Sequence, residues 1–364
     1  MTTIHDLPTP ALLLDLNVME ANLSRMTKRA EGLGVALRPH IKTHKCIEIA
    51  ERQRALGATG IAVSTLYEAN VFADHGFDDI TWAFPVILNR IEEARELSRR
   101  VTLRVVVDSA EALAALASTG TTFHVLLKVD CGYHRAGVDP GSDVALELAR
   151  AIHDAPTVMF DGILTHSGHA YTARSREELA RIAREERDVM VSFADRLREA
   201  GIDVERVSIG STPAVSAVDH LDDVTEIRPG NYVFHDYTQV VLDGAATTEC
   251  AVTVLASVVS SQPHNQHSVV DAGSLALSKD AGRKGWKTQT MGEIYRDYAT
   301  GALHSDMRLV SLSQEHGIVN AQLPLGSRVR VLPNHACLAA ACFDEYQVVR
   351  EDEVVDRWRI WRGR

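Results

Sequence analysis

The sequence predicts an α/β protein: an N-terminal (β/α)8 barrel of the TIM type followed by a C-terminal antiparallel β domain. Three observations carry this expectation. Between Val35 and Val233, eight short apolar runs are separated mostly by helical patterns, which implies parallel βαβ units and, at eight, a closed barrel. No strand–GxGxxG–helix opening occurs, which disfavours an open doubly wound sheet. After about Leu242 strand patterns follow one another without long helices between them.

Taken in order, Ala11–Asp15 reads as a strand that could join either domain. Asn17–Ala30 reads as a helix with Met19, Leu23 and Met26 at helical spacing. The barrel strands are expected at Val35–Lys42, Gly60–Ser64, Asp79–Phe84, Val101–Val107, Thr122–Val129, Val158–His166, Val204–Ile209 and Glu226–Val233. Helices are expected over His44–Leu56, Tyr67–His75 and, longest, Ser175–Ala200, whose Arg/Glu pairs suit an exposed face. In the second domain, strands are expected at Cys250–Ser260, His267–Asp271, Ser327–Leu332, Glu345–Arg350 and Val354–Trp361. Residues 275–325, rich in Gly, Ser and charge, are expected as loops with a lid among them. The expected division is 10–242 for the barrel and 243–364 for the β domain, with which residues 1–9 could pack.

Hydrophobic residues at 45% and charged residues at 24% suit a globular chain with a sizeable core. A formal net charge of -11 offers no general attraction to phosphate backbones, so nucleic acid is not an expected partner. No apolar run approaches the ~18 residues of a membrane helix, and no signal peptide is read at the N-terminus. The five cysteines are scattered and show no paired zinc-finger spacing, so they are expected as thiols of a cytoplasmic protein.

Polar residues gather where the barrel strands end. In a barrel of this class chemistry sits at the C-terminal strand ends. Lys42 closes an apolar strand just before a helix. Partly desolvated, it could form an imine with an aldehyde; equally, it could be a solvated rim lysine. Gly210-Ser211-Thr212 follows a strand and offers backbone N–H groups and two hydroxyls, either a phosphate cradle or an ordinary tight turn. Arg228-Pro-Gly230-Asn231 could be the second half of that cradle or another turn. His335 and Cys337, two apart on a segment expected to be extended, would point the same way and together favour zinc. The alternative there is a buried cysteine beside a loop histidine.

These pieces occur in order, and together the chain resembles the D-serine dehydratase and D-threonine aldolase family of pyridoxal-phosphate (PLP) enzymes, which has the alanine racemase-like fold. The likeness runs through Thr9-Pro-Ala-Leu-Leu-Leu-Asp15, Leu37-Arg-Pro-His-Ile-Lys-Thr-His-Lys45, Gly210-Ser-Thr-Pro213, Glu226-Ile-Arg-Pro-Gly-Asn-Tyr232, Asp271-Ala-Gly-Ser274 and Pro333-Asn-His-Ala-Cys337. The resemblance implies PLP as cofactor, held as a Schiff base on Lys42. It implies Arg135 near the cofactor's phenolate oxygen, His166 against the pyridine face and Tyr171 at the pyridine side. Gly210, Ser211, Thr212, Gly230 and Asn231 match the phosphate site, and His335 and Cys337 the metal pair, for Zn2+ or another divalent metal.

Aldolase members of the family carry His-x-Asp at the metal pair, a His-Gly-Ser pattern near the sixth strand and a Gly-rich phosphate turn. Here the corresponding stretches are His-x-Cys, His166-Ser-Gly168-His169 and Gly210-Ser-Thr-Pro213, which look more like the dehydratase branch. The aldolase base position holds Ser167, with His169 close by as a catalytic candidate. The implied reaction is dehydration of a D-3-hydroxy amino acid such as D-serine or D-threonine, with Lys42 taking the α proton, to a 2-oxo acid and ammonia. Retro-aldol cleavage to glycine and an aldehyde is the near alternative, and a non-catalytic PLP-binding protein the remote one. By analogy with relatives of this fold, a homodimer is expected.

Overall fold

Strand runs and capped helices assemble the first half as the periodicity predicts. The computed structural model describes residues 2–282 and 289–364. Its strands and helices are β1 (Ala11–Asp15), α1 (Leu16–Gly32), β2 (Ala36–Leu37), α2 (Ile47–Ala55), β3 (Ile61–Val63), α3 (Leu66–Asp74), β4 (Asp79–Pro85), α4 (Ile91–Ser98), β5 (Thr102–Val107) and α5 (Ala110–Ala117). Then follow β6 (Phe123–Lys128), α6 (Asp143–Asp154), β7 (Val158–Leu164), α7 (Arg176–Glu199), β8 (Arg206–Ile209), α8 (Thr212–Ala217), β9 (Glu226–Ile227) and α9 (Tyr237–Val241). Ser109, Ser142 and Ser175 cap α5, α6 and α7, each accepting an orphan backbone N–H. Thr65 and Glu68 form a capping box on α3.

Strands β2 to β9 form one parallel sheet in the order β2-β9-β8-β7-β6-β5-β4-β3. A parallel bridge between His40 and Ala62 links its two ends, so the sheet curls into a TIM-barrel-like arrangement. The first and last of these strands are shorter than the sequence suggests. Pro39 and Pro229 supply no N–H to a ladder, and both stretches turn into single 3-10 turns, Ile41–Thr43 and Asn231–Val233. Their carbonyls still serve: Ala62 N donates to Pro39 O at 2.9 Å and His40 N to Pro229 O at 3.0 Å. Lys42 therefore stands on a turn beyond the strand.

The second sheet has nine strands: β1 with β10 (Val252–Ser261), β11 (Ser268–Val270), β12 (Gly292–Asp297), β13 (Ala302–Leu312), β14 (Gly317–Val319), β15 (Arg328–Leu332), β16 (Glu345–Arg350) and β17 (Glu353–Arg359). All its pairings are antiparallel except β1 with β16. Strand β10 pairs with both β11 and β15, so β10, β11, β14, β13, β12 and β15 close on themselves. Two short helices, α10 (Ser274–Leu277) and α11 (Ala336–Ala340), complete it.

This corrects the expectation of loops over 275–325. The stretch contains α10 and three strands, among them β13, the longest strand of the sheet. Its Ser305, Asp306, Val310 and Ser311 face solvent, so the apolar signal is diluted on one side. Residues 283–288, within the expected lid, lie outside the described residues.

By contact the chain divides into two compact units. One comprises Met1–Arg25, Thr43–Glu48 and Asn231–Arg362; the other comprises Met26–Lys42, Ile49–Gly230 and Gly363–Arg364. No helix among the described residues is long and apolar enough to cross a membrane. The five cysteines are free thiols.

Candidate active site

At the mouth of the parallel barrel, side chains from five strand ends converge. β6 delivers Lys128, buried at its last position. Beyond it, Asp130 accepts the N–H groups of Gly132 and His134 and shapes a turn carrying Tyr133 and Arg135. The Arg135 guanidinium lies over the Tyr133 ring, 5.0 Å from its centre. Tyr133 in turn meets His166 edge-on at 6.3 Å and stacks on His169 at 6.0 Å. Gly168 leaves room for that ring: a Cβ there would stand 2.2 Å from it, so Tyr133 would have to shift.

β7 ends at Leu164 and hands over to Thr165 and His166. Ser167 then gives both its backbone N–H (2.9 Å) and its hydroxyl (2.7 Å) to Glu186, a buried carboxylate on α7. The same carboxylate accepts the Gly210 N–H at 3.2 Å. Glu186 thus clamps the loop after β7 to the loop after β8. Gly210 has φ +98, a left-handed value that a side chain resists. Ser211 caps α8, where Thr212 is the first residue. Tyr171 and His169 lie on the short 3-10 segment Gly168–Thr172, and His169 Nδ1 is buried with no hydrogen-bond partner.

Beyond β9, Arg228 is buried and donates to Ser208 Oγ and Thr165 O. Its surroundings explain the electrostatics of the mouth. Burial, then the charges of Lys42, Arg228 and His166, holds His40 well below its ordinary value. Burial, then Lys42, Lys128, Arg135 and Arg228, does the same to His166. Burial, with Arg228 and Arg135 adding like charge, pushes Lys128 down to about 7. Burial pulls Arg228 down to about 10, opposed by Glu226 and Glu186. Lys42, Lys128, Arg135, Arg228, His40 and His166 thus share one neighbourhood whose cations destabilise one another. Such a cluster favours an anionic occupant.

In the other compact unit, His335 occupies the N-cap position of α11, without a side-chain cap hydrogen bond, and Cys337 lies in the first turn. The segment is helical at Cys337 rather than extended as the alternation argument expects, because β15 stops at Leu332 before Pro333. The two side chains still act on each other. Burial opposes the imidazolium, but the Cys337 thiolate and Asp280 outweigh it and push His335 up to about 11. Burial likewise opposes the thiolate, and His335 overcomes it, lowering Cys337. Around the pair, the Thr43 hydroxyl lies 3.3 Å from Cys337 Sγ, and Asp280 Oδ2 lies 3.1 Å from His335 Nδ1. Asp236 accepts the N–H of Ala336 at 2.9 Å and the side-chain amide of Asn231 at 2.7 Å. Asn231 is therefore engaged beside Cys337, with its Oδ1 buried and unpartnered. Among the described residues no group of three His, Cys, Asp or Glu side chains could hold a metal. His335 and Cys337 would supply two donors.

Of the residues expected from sequence, Lys42, Arg135 and His166 come together at the mouth, with Tyr171 and His169 on the adjoining segment. Gly210, Ser211 and Thr212 form the neighbouring loop, and Gly230 follows Arg228 and Pro229. Lys128, His40, Glu186, Asp236 and Asp280 are not among the site residues expected from sequence. Glu186 had a legible signal, since it stands among Leu179, Ile182, Ala183 and Met190 on the apolar face of α7. Lys128 had one as well, a charge ending a buried strand.

Comparison with known proteins gives the family. Residues 14–238 match the family described as alanine racemase, N-terminal domain, and residues 251–349 match the putative serine dehydratase domain. The chain belongs to this family. More narrowly, it falls in the branch of dehydratases and aldolases of D-hydroxy amino acids. The chain is similar to D-threo-3-hydroxyaspartate dehydratase of Delftia sp. (strain HT23), with 38% identity covering 99% of each chain. The solved structure of that dehydratase superposes with a TM-score of 0.95 at 37% identity, covering 100% of both chains. It is also 36% identical to D-serine dehydratase of Dictyostelium discoideum, covering 97% of this chain and 96% of that one. D-threonine aldolase of Arthrobacter sp. is 34% identical, covering 97% of this chain and 92% of that one. The family makes this protein a PLP-dependent lyase. Its dehydratases and aldolases both resemble the chain, so membership does not by itself select the bond that breaks.

Proposed function

We propose that this lyase is a PLP- and zinc-dependent dehydratase of D-3-hydroxy amino acids, converting them to a 2-oxo acid and ammonia. The observation that carries the reading is the His335–Cys337 imidazole–thiolate pair. Soft sulfur with imidazole nitrogen suits zinc better than magnesium or calcium, and two protein donors leave positions for water and substrate. The relatives support it. One solved variant of a D-threo-3-hydroxyaspartate dehydratase has alanine in place of a cysteine and is metal-free. Another has alanine in place of a histidine two positions earlier, the spacing of His335 and Cys337.

The barrel mouth fits PLP on its own chemistry. Its cations match a phosphate dianion and a phenolate, and the unpartnered Nδ1 of His40 is a polar atom free to serve a ligand. In this reading Lys42 tethers the cofactor and its Nζ takes the proton from substrate Cα. Arg135 faces the phenolate oxygen, His166 and Tyr171 hold the ring, and Gly210, Ser211, Thr212, Gly230 and Asn231 receive the phosphate. Bound PLP supplies the electron sink for charge left at Cα. His335 and Cys337 would hold a divalent metal, which would supply Lewis acidity toward the β-hydroxyl as leaving group. The α-proton and the hydroxyl leave as water. Water then enters when the enamine product hydrolyses, leaving a 2-oxo acid and ammonia.

The unpartnered Nδ1 of His169 supports a second reading, in which a base removes the hydroxyl proton and the Cα–Cβ bond breaks. Product analysis separates the two. With D-serine, D-threonine and D-threo-3-hydroxyaspartate as substrates, the expected result is equal yields of ammonia and 2-oxo acid. Chelation and Cys337→Ala should each abolish them, and zinc should restore the chelated enzyme only. Glycine with an aldehyde would establish the aldolase reading. Undiminished 2-oxo acid from Cys337→Ala would remove the metal from the reaction.

A further inference from the structure

An imidazole presents a lone pair to a metal only at the nitrogen that carries no proton, so whatever binds the other nitrogen fixes the ligand's tautomer and aim. In the unit that holds the His335–Cys337 pair, Asp280 Oδ2 sits 3.1 Å from His335 Nδ1. A carboxylate accepts there, which keeps a proton on Nδ1, so Nε2 is the nitrogen that would give up its proton to a metal. Asp280 is itself held. Its Oδ1 accepts the Gly282 N–H at 3.0 Å, its own N–H donates to Ser278 Oγ at 3.2 Å, and its carbonyl accepts the Asn334 side-chain amide at 2.9 Å. Asn334 also donates to Thr290 O at 2.7 Å. The turn bearing the carboxylate is thus stitched to the residue next to the histidine. Both side chains are about one-third exposed, at 37% for His335 and 32% for Asp280, so the ring keeps a solvent-facing side.

We infer that Asp280 is a positioning residue for a divalent metal at His335 and Cys337, fixing His335 as the Nδ1–H tautomer with Nε2 turned to the ion. The inference rests on the metal site proposed above and adds the group that orients its histidine. Asp offers two oxygens, one to Gly282 and one to His335. Asn offers only one, so the near-isosteric Asp280→Asn keeps the turn and loses the orienting acceptor or its charge. Asp280→Ala loses both.

The test is a Co2+ titration of the PLP-loaded, chelator-treated enzyme, following the thiolate-to-cobalt charge-transfer band alongside the thermal midpoint. Wild type should develop the band and Cys337→Ala should not. Asp280→Ala and Asp280→Asn should need on the order of 10–100-fold more free Co2+ to reach it, as loss of an outer-shell partner does in other metal sites. Asp280→Asn should do so at an unchanged thermal midpoint. Titrations of both variants that coincide with wild type would overturn the inference while leaving the metal site standing. A wild type without the band, or a band that persists in Cys337→Ala, would instead bring down the site and the inference with it.

Discussion

Lys128 shows what a single charge experiences at the barrel mouth. Its ammonium is buried at the end of β6, and Arg228 and Arg135 add like charge, so its pKa falls to about 7 from an ordinary 10.5. The sign follows from linkage. The folded pKa lies below the unfolded one, so the unfolded chain binds more protons between about 7 and 10.5. Lys128 therefore destabilises the fold in full below about pH 7, and that cost disappears as pH rises toward 10.5. Lys128→Met should raise the thermal midpoint of cofactor-free protein most at pH 6–7, with the gain shrinking toward alkaline pH. A pH-independent gain would mean the methionine acts through packing alone. The same charge should favour anions, so PLP binding near pH 8 should take up protons in wild type. Calorimetry in buffers of different ionisation enthalpy would read that uptake, which Lys128→Met should reduce.

At the scale of elements, α7 does more than cover the barrel. Leu179, Ile182, Ala183, Met190, Phe193 and Leu197 line its buried face, and Glu186 interrupts that face with a carboxylate holding the Ser167 and Gly210 loops. Glu186→Ala would leave two loop N–H groups without their acceptor, at about 1–3 kcal/mol each where they stay buried. The expected result is a clear loss of PLP affinity in a cofactor titration, with Glu186→Gln, which keeps one acceptor oxygen, falling between. Wild-type affinity in Glu186→Ala would show that the two loops hold their places without the clamp. The helix also shows what sequence makes legible. Its 3.6-residue stripe, its Ser175 cap and its length follow from residue order alone. The eight barrel strands were equally visible, because strands buried on both faces are apolar runs. Strands β12 to β14 were not, since β12 and β13 carry exposed polar residues such as Arg296, Asp297, Ser305 and Asp306, and short polar stretches look like loops. Partners such as Glu186 and Ser167, or Asp280 and His335, lie 19 and 55 residues apart, and only the fold brings them together.

Over the whole barrel, the interior is layered. Val106, Leu126 and Leu164 form an apolar cluster in strands β5, β6 and β7. A chain of charges also crosses the barrel. Glu226 accepts from Arg38 at 2.6 Å and from Ser208 Oγ at 2.5 Å. Arg38 and Arg104 share Asp79. Arg104 reaches Asp161 at 2.7 Å, which also meets His124 at 2.9 Å. Gly60 makes room for this: a Cβ there would stand 2.3 Å from the Arg38 guanidinium. The network ties β2, β4, β5, β6, β7, β8 and β9 across the barrel, so one deletion should be felt by the entire sheet. Burial raises the Glu226 carboxyl, but Arg38 and Ser208 more than offset it, and its pKa ends below the ordinary 4.5. A depressed carboxyl contributes stability that is present above its unfolded pKa and is lost as pH falls through the folded one. Arg38→Met removes the partner and strands a buried carboxylate, which typically costs about 3–5 kcal/mol. Against a total stability of about 5–15 kcal/mol this is a large share. The variant should unfold at markedly lower urea at pH 7, and its deficit relative to wild type should narrow as acid protonates Glu226. Adding Glu226→Gln to Arg38→Met should recover much of the loss at pH 7, since the stranded charge is then gone. A double variant no more stable than Arg38→Met would mean that the guanidinium matters for its packing, and that the charge it neutralises does not.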